Sequence, residues 1–181
     1  KEINEQPKII ENLLNIRIQK ETSQIIFEEQ KIPEEKLKNI KNISIVACGT
    51  AYHAGLVGKY ILESVCGIPT TVDVSSEFRY RSLLIDANTL VIAISQSGET
   101  ADTLAGVREA KRLGAAVLSV CNVLGSTLTR ESDGIIYTHA GPEIGVASTK
   151  AYTAQLVALY LFALYLAETR NQLSGAKINK Y

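Results

Sequence analysis

From Ile43 onward the chain alternates short, almost uninterrupted apolar runs with longer stretches of helical periodicity. The short runs are Ile43–Ala47, Thr70–Val74, Leu90–Ile94, Ala116–Val120 and Ile135–Tyr137, each rich in Val and Ile. Hydrophobicity that is nearly continuous over so few residues predicts strands covered on both faces. Between them, Tyr52–Val65 and Ala101–Leu113 read as helices, Ser126–Glu131 as a brief one, and Ala147–Thr169 as a long final one. Gly114 falls where a left-handed residue closes a helix. The alternation predicts an α/β domain: a parallel sheet with helices on both faces, an α/β/α sandwich of three layers.

The residues before the first strand read differently. Lys1 to about Phe27 forms a lead-in with a helix, and Pro7 suits a first helical turn, where its missing N–H costs nothing. Ile9, Ile10, Leu13, Leu14 and Arg17 recur at helical spacing and mark one side as apolar. Glu28 to Lys41 is polar and charged, is broken by Pro33, and reads as a solvated loop and short helix. Three regions follow: a linker and helical lead-in over 1–41, a domain over 42–170, and a polar tail over 171–181.

Composition narrows the function. Hydrophobic residues make up 46% of the 181 and charged residues 21%, as in a globular domain with a sizeable core. Lys plus Arg and Asp plus Glu both number 19, for a formal net charge of zero. Nucleic-acid binding draws on clustered positive charge, so no nucleic-acid partner is expected. Cys48, Cys66 and Cys121 are widely spaced, without metal-ligand spacing, and read as reduced thiols of a cytoplasmic protein with no metal site. The most apolar stretch, Leu156–Ala167, is shorter than the about 20 residues that span a bilayer, so no membrane segment is expected. The first residue is Lys1, not Met, and a longer parent chain is expected.

Ligands of open parallel sheets bind beyond the carboxyl ends of the strands, where strand order reverses. Three segments fall there: Cys48–Tyr52, Ser95–Thr100 and Glu143–Lys150. All three are small, hydroxyl-rich and glycine-bearing. The second is the most informative. Ser95, Ser97 and Thr100 supply hydroxyls, and Gln96 and Gly98 supply amides, at the start of a helix whose free N–H groups and positive dipole end favour a phosphate. A plain helix cap uses one such hydroxyl, and three exceed that need. Gly98 is expected to let the backbone approach the ligand. Glu99 and Asp102 would repel a phosphate and are expected to point away. Neither G-x-G-x-x-G after the first strand nor a P-loop is present, and the loop lacks Lys and Arg. A compact phosphomonoester therefore fits better than a nucleoside triphosphate. His53 and His139 read as exposed loop or first-turn residues, Cys48 and Cys121 as small buried hydrophobes, Glu143 as structural, and Tyr152, Tyr160 and Tyr165 as core or interface.

Taken together, Ala47–Tyr52, Ser76–Arg81 (SEFRYR), Ser95–Leu104 (SQSGETADTL) and Glu143–Lys150 (EIGVASTK) resemble the glucosamine-6-phosphate synthases, or glutamine–fructose-6-phosphate aminotransferases. The opening Lys1–Ile3 and Glu5–Pro7 resemble the linker between that family's glutaminase and isomerase domains. The likeness runs to the final helix and implies the first SIS (sugar isomerase) half of the isomerase domain, with a flavodoxin-like five-stranded parallel sheet. It also implies the family's reaction, in which ammonia from glutamine aminates fructose 6-phosphate and isomerisation gives glucosamine 6-phosphate. Carried onto this sequence, Ser95, Gln96, Ser97 and Thr100 hold the phosphate, while Thr50, the Cys48 backbone, Val146 and Ser148 meet the sugar. Ala51 stands where many relatives place a Ser, which removes one hydrogen bond worth about 0.5–1.5 kcal/mol.

The family's isomerisation base, ring-opening histidine and Schiff-base lysine belong to the second SIS half and the C-terminal tail, and its cysteine nucleophile to the glutaminase domain. The resemblance therefore implies no catalytic residue, metal or cofactor here. Its implied partners are the sugar phosphate, the second SIS half and the glutaminase domain. The long apolar final helix asks for a cover, from that second half or from a homodimer mate. Two other readings share these residues: a regulatory module that senses phosphosugars, and a stand-alone SIS isomerase or deglycase with its own Glu and His facing the pocket.

Overall fold

The computed structural model of the chain describes residues 1–173, so most of the expected polar tail lies outside the described residues. Five strands form one parallel sheet: β1 (Asn42–Ala47), β2 (Thr70–Val74), β3 (Thr89–Ser95), β4 (Ala116–Cys121) and β5 (Gly134–Tyr137). Their spatial order is β2-β1-β3-β4-β5, the flavodoxin-like arrangement. Ile45 pairs with Val72 on one side and Ile92 on the other, and Ile92 pairs in turn with Leu118. Each apolar run of the sequence is one of these strands.

Because side chains alternate along a strand, the sheet feeds two separate cores. Ile43, Ile45, Ala47, Leu90, Ile92, Ile94 and Leu118 face α3 (Gly49–Cys66) and the final helix, α7 (Lys150–Thr169). Val46, Val91, Ala93 and Val117 face the other way, onto α4 (Ser75–Phe78), α5 (Ala101–Arg112) and α6 (Thr127–Glu131). Fully buried anchors such as Leu62, Phe78 and Phe162 each contribute about 1.5–3 kcal/mol by leaving water. Helix, sheet and helix make the expected three layers.

The lead-in helix, α1 (Gln6–Arg17), stops well before Phe27. Ile18 turns extended and forms an antiparallel bridge with Ile25, whose side chain is buried with Phe27 in the larger core. Ile9 and Leu13 pack α1 onto Ala140, Ala151 and Ala154 near the start of α7. Arg17 ends the same stripe and is 2% exposed, with its guanidinium donating to Glu29 at 2.8 Å and to the Tyr137 carbonyl at 3.1 Å. A short helix, α2 (Glu34–Lys38), follows Pro33 and buries Leu37. Residues 1–41 thus lie against the sheet and α7 and supply part of the core.

Two further differences from the sequence reading concern helices. α4 has four residues, too few for a hydrophobic period to register. The final helix begins at Lys150, not Ala147, and residues 143–149 form an irregular loop. α7 is 20 residues long and, by length and composition alone, apolar enough to cross a membrane, which the shorter run Leu156–Ala167 did not suggest. Of its most apolar window, 61% is buried inside the domain, against α1, α3 and the sheet, so it is a core helix. Much of the cover that the sequence reading sought in another subunit comes from this chain's own α1 and α3.

Candidate functional site

Strand order reverses between β1 and β3, and the loops leaving these two strands sit side by side. With the loop before α7 they enclose a cleft of about 270 Å³. Its walls include Cys48, Thr50, Ser95, Gln96, Ser97, Thr100, Val146 and Ser148, so all eight residues singled out in the sequence line one space. Ala51, Ile94, Glu143, Gly145 and Gln155 complete it. Neutral hydroxyls and amides dominate the lining, and among the described residues it contains no Lys, Arg or His.

The turn after β3 is held rigidly. The Gln96 carbonyl accepts from the Asn122 amide at 3.2 Å, and the Gly98 carbonyl from the Leu128 amide at 3.0 Å. Ser95 Oγ accepts from the Gly98 amide at 3.0 Å and lies 3.3 Å from Thr100 Oγ1, while Ser97 Oγ accepts from the Glu99 amide at 3.2 Å. The two amide bonds use the serine oxygens as acceptors, and with one hydroxyl of the Ser95–Thr100 pair donating to the other, two hydroxyl protons are left to donate to a ligand. Thr100 is the residue before α5, and its side chain makes no cap to the helix. The opening amides of α5 therefore keep their donors and the positive end of the dipole beside the cleft.

Both acids of this turn point away, as electrostatics requires. Glu99 accepts from the Thr127 amide at 2.7 Å, which holds its carboxyl below the usual range, and Asp102 pairs with Arg79 at 3.1 Å. Glu143 does line the cleft, but its oxygens are engaged. They accept from Ser148 Oγ and the Thr149 amide, both at 2.8 Å, and from the Ala151 amide at 3.4 Å. Burial pushes this carboxyl up, and the hydrogen bonds outweigh it and hold the group ionised below its ordinary value. A carboxylate so occupied shapes the loop and makes a weak proton acceptor.

Gly98 corrects one expectation. It is buried, has φ +67°, and a Cβ there would meet Ser126 Oγ at 2.1 Å and Cys121 Sγ at 2.9 Å. Its glycine identity serves packing against β4 and α6, not ligand approach. Gly49 has the open position: φ +59° and no atom within 4 Å of a Cβ, between the lining residues Cys48 and Thr50. Cys48 also departs from the buried-hydrophobe reading, being half-buried in the cleft wall, whereas Cys121 is fully buried beneath Gly98. His53 is exposed on the first turns of α3. His139 is exposed outside the cleft, in a larger cavity of about 840 Å³ beside Lys1, Glu5, Lys8 and Pro142. Glu5 and Lys8 of that cavity are engaged with Lys150 and Glu11.

Gln155 was not visible in the sequence. It lies 3% exposed on α7 at the cleft wall, and its Oε1 is buried without a hydrogen-bond partner among the described residues. Within the sequence it is an isolated amide in a mostly apolar helix, and only the packing of α7 on α3 aims it here. Ala51 is 7% exposed and adds an apolar surface to the wall.

Residues 36–165 match the family described as the SIS domain. The chain belongs to that family. This SIS domain is 54% identical over 180 residues to the glutamine–fructose-6-phosphate aminotransferase (isomerizing) of Clostridium tetani, covering 99% of this chain and 29% of that protein. The enzyme of the same name from Caldanaerobacter subterraneus is 55% identical over 178 residues, 98% of this chain and 29% of its own length. Among solved structures, the C-terminal domain of glucosamine–fructose-6-phosphate aminotransferase from Francisella tularensis superposes with a TM-score of 0.93 at 43% identity, covering 99% of this chain and 50% of that one. The SIS domain thus spans less than a third of the length of these two curated relatives and half of the solved one.

Proposed function

We propose that the SIS domain binds the phosphomonoester of fructose 6-phosphate or glucosamine 6-phosphate in the cleft between β1, β3 and α7. It is then the sugar-phosphate-binding half of the isomerase part of a cytoplasmic glutamine–fructose-6-phosphate aminotransferase. One observation carries the reading: three hydroxyls converge on the uncapped start of α5, with no cation and no free anion beside them among the described residues. Such a place suits a compact dianion held by neutral donors. Thr50, the Cys48 backbone, Val146 and Ser148 face the sugar from the other walls, and Gln155 offers a further polar contact. The names of the relatives support the choice of sugar phosphate.

On this reading the domain binds and orients. The titratable lining groups are Cys48 and Glu143, and Glu143 is tied into its own loop. The groups that move protons come from a second SIS half, and ammonia from a glutaminase domain. The whole enzyme pairs as a homodimer.

Calorimetric titration with fructose 6-phosphate tests the assignment. Changing Ser97 and Thr100 together to Ala removes two donors to a charged acceptor, and affinity falls about 10²-fold or more while circular dichroism stays native. An unchanged affinity removes the phosphate from this turn.

A further inference from the structure

Residues 143–149 supply four of the cleft's lining residues, Glu143, Gly145, Val146 and Ser148, yet packing does little to hold them. Ile144 is 88% exposed and Val146 fully exposed. Hydrogen bonds to two carboxylates fix the loop instead. Glu143 gathers its C-terminal side from within. The other carboxylate comes from the opposite end of the chain. Glu2 Oε1 accepts from the Ile144 amide at 2.7 Å and Glu2 Oε2 from the Gly145 amide at 3.0 Å.

The segment that carries Glu2 is itself tied to the start of α7. The Lys150 ammonium, on a residue 4% exposed, donates to Glu5 at 2.6 Å, and Thr153 Oγ1 donates to Gln6. A buried ammonium is strongly bound to its counter-ion, because separating the two strands a charge in a medium that solvates it poorly. Glu5 and Lys150 therefore anchor the 3₁₀ turn Glu2–Glu5 against α7, and this turn presents Glu2 to the loop. Nothing in the apolar pattern of either segment signals a pairing across more than 140 residues.

We infer that the N-terminal turn is a clamp on the sugar-facing wall of the cleft, with Glu2 as a positioning residue for Gly145, Val146 and Ser148. The inference rests on the proposed reading of the cleft as a sugar-phosphate site. The clamp bonds the loop before α7 and not the turn after β3, so it governs contacts to the sugar and leaves those to the phosphate alone. Whatever precedes Lys1 in a longer protein is then joined directly to the sugar-facing wall.

Amide hydrogen exchange on the 181-residue chain, compared with Glu2→Gln and Glu2→Ala, tests the clamp without any ligand. Exchange over 144–149 should accelerate in the order wild type, Gln, Ala, since Gln keeps one acceptor, while the β3 and β4 peptides stay protected. In calorimetry, Glu2→Ala should weaken fructose 6-phosphate about 3- to 10-fold, and Glu2→Gln less, with inorganic phosphate unaffected. Unchanged exchange over 144–149 overturns the clamp. Faster exchange with unchanged fructose 6-phosphate affinity, or an equal loss for inorganic phosphate, overturns its role at the sugar wall. If wild type binds inorganic phosphate and fructose 6-phosphate equally, the wall contacts no sugar and the positioning role falls. A wild-type chain that binds neither sinks the cleft assignment instead, and the exchange data still decide the clamp.

Discussion

Gly98→Ala probes the geometry on which the cleft depends. Gly98 has φ +67°, where an L-residue with a Cβ is strained, at a cost of about 1–2 kcal/mol. The added methyl would also lie 2.1 Å from Ser126 Oγ, 2.6 Å from Ser126 Cβ and 2.9 Å from Cys121 Sγ. Such contacts cannot be held, so the turn must lift off β4 and α6, and overpacking of this kind costs about 1–3 kcal/mol. The two effects together predict a loss of about 2–5 kcal/mol, since both act at one site. At about 2–4 °C per kcal/mol for a domain of this size, the melting temperature should drop by roughly 4–20 °C. Lifting the turn also moves Ser97 and Thr100 relative to α5, so affinity for fructose 6-phosphate should fall with stability. Urea denaturation of Gly98→Ala, Ser126→Gly and the double variant separates the causes. Ser126→Gly removes the two closest atoms, and the double-mutant cycle should return a favourable coupling of about 1–3 kcal/mol, leaving the backbone strain and the Cys121 contact. A Gly98→Ala chain as stable as wild type, or a cycle with no coupling, refutes this account of the turn.

Two more outcomes follow from titration and thiol chemistry. The folded carboxyl of Glu143 lies below its ordinary value of 4.5, so its contribution to stability is fully present above that value and is lost as pH falls through the lower folded one. The stability gap between wild type and Glu143→Gln should be widest above pH 4.5 and close as acid is added; a gap independent of pH contradicts the hydrogen-bonded carboxylate. In the native chain a thiol reagent should modify Cys48 alone. Cys66 is buried, with its thiol pushed up to about 12 by loss of solvation, and Cys121 is buried beneath Gly98 and also raised by burial. Peptide mapping checks this, and saturating fructose 6-phosphate should slow the Cys48 reaction; labelling of Cys66 at the same rate argues against the packing described.

The layered architecture and the position of the cleft were legible in the sequence. A strand covered on both faces must be apolar throughout, and Ile43–Ala47 and Leu90–Ile94 could meet no other environment. Once the sheet is parallel, the residues after β1 and β3 fall at its carboxyl edge, and a cluster of hydroxyls at the start of α5 carries its own electrostatic meaning. These are local or periodic properties, and neighbours in sequence suffice to state them. The tertiary structure decided whatever depends on residues distant in sequence. Gly98 looks like a ligand-facing glycine until Ser126 is seen against it, Gln155 is an isolated amide in an apolar helix until α7 packs on α3, and Glu2 is one acid of a polar lead-in until two amides more than 140 residues away are found on its oxygens. Contacts at such separations leave no periodic trace along the chain, because packing and hydrogen bonding select them only after the layers have closed.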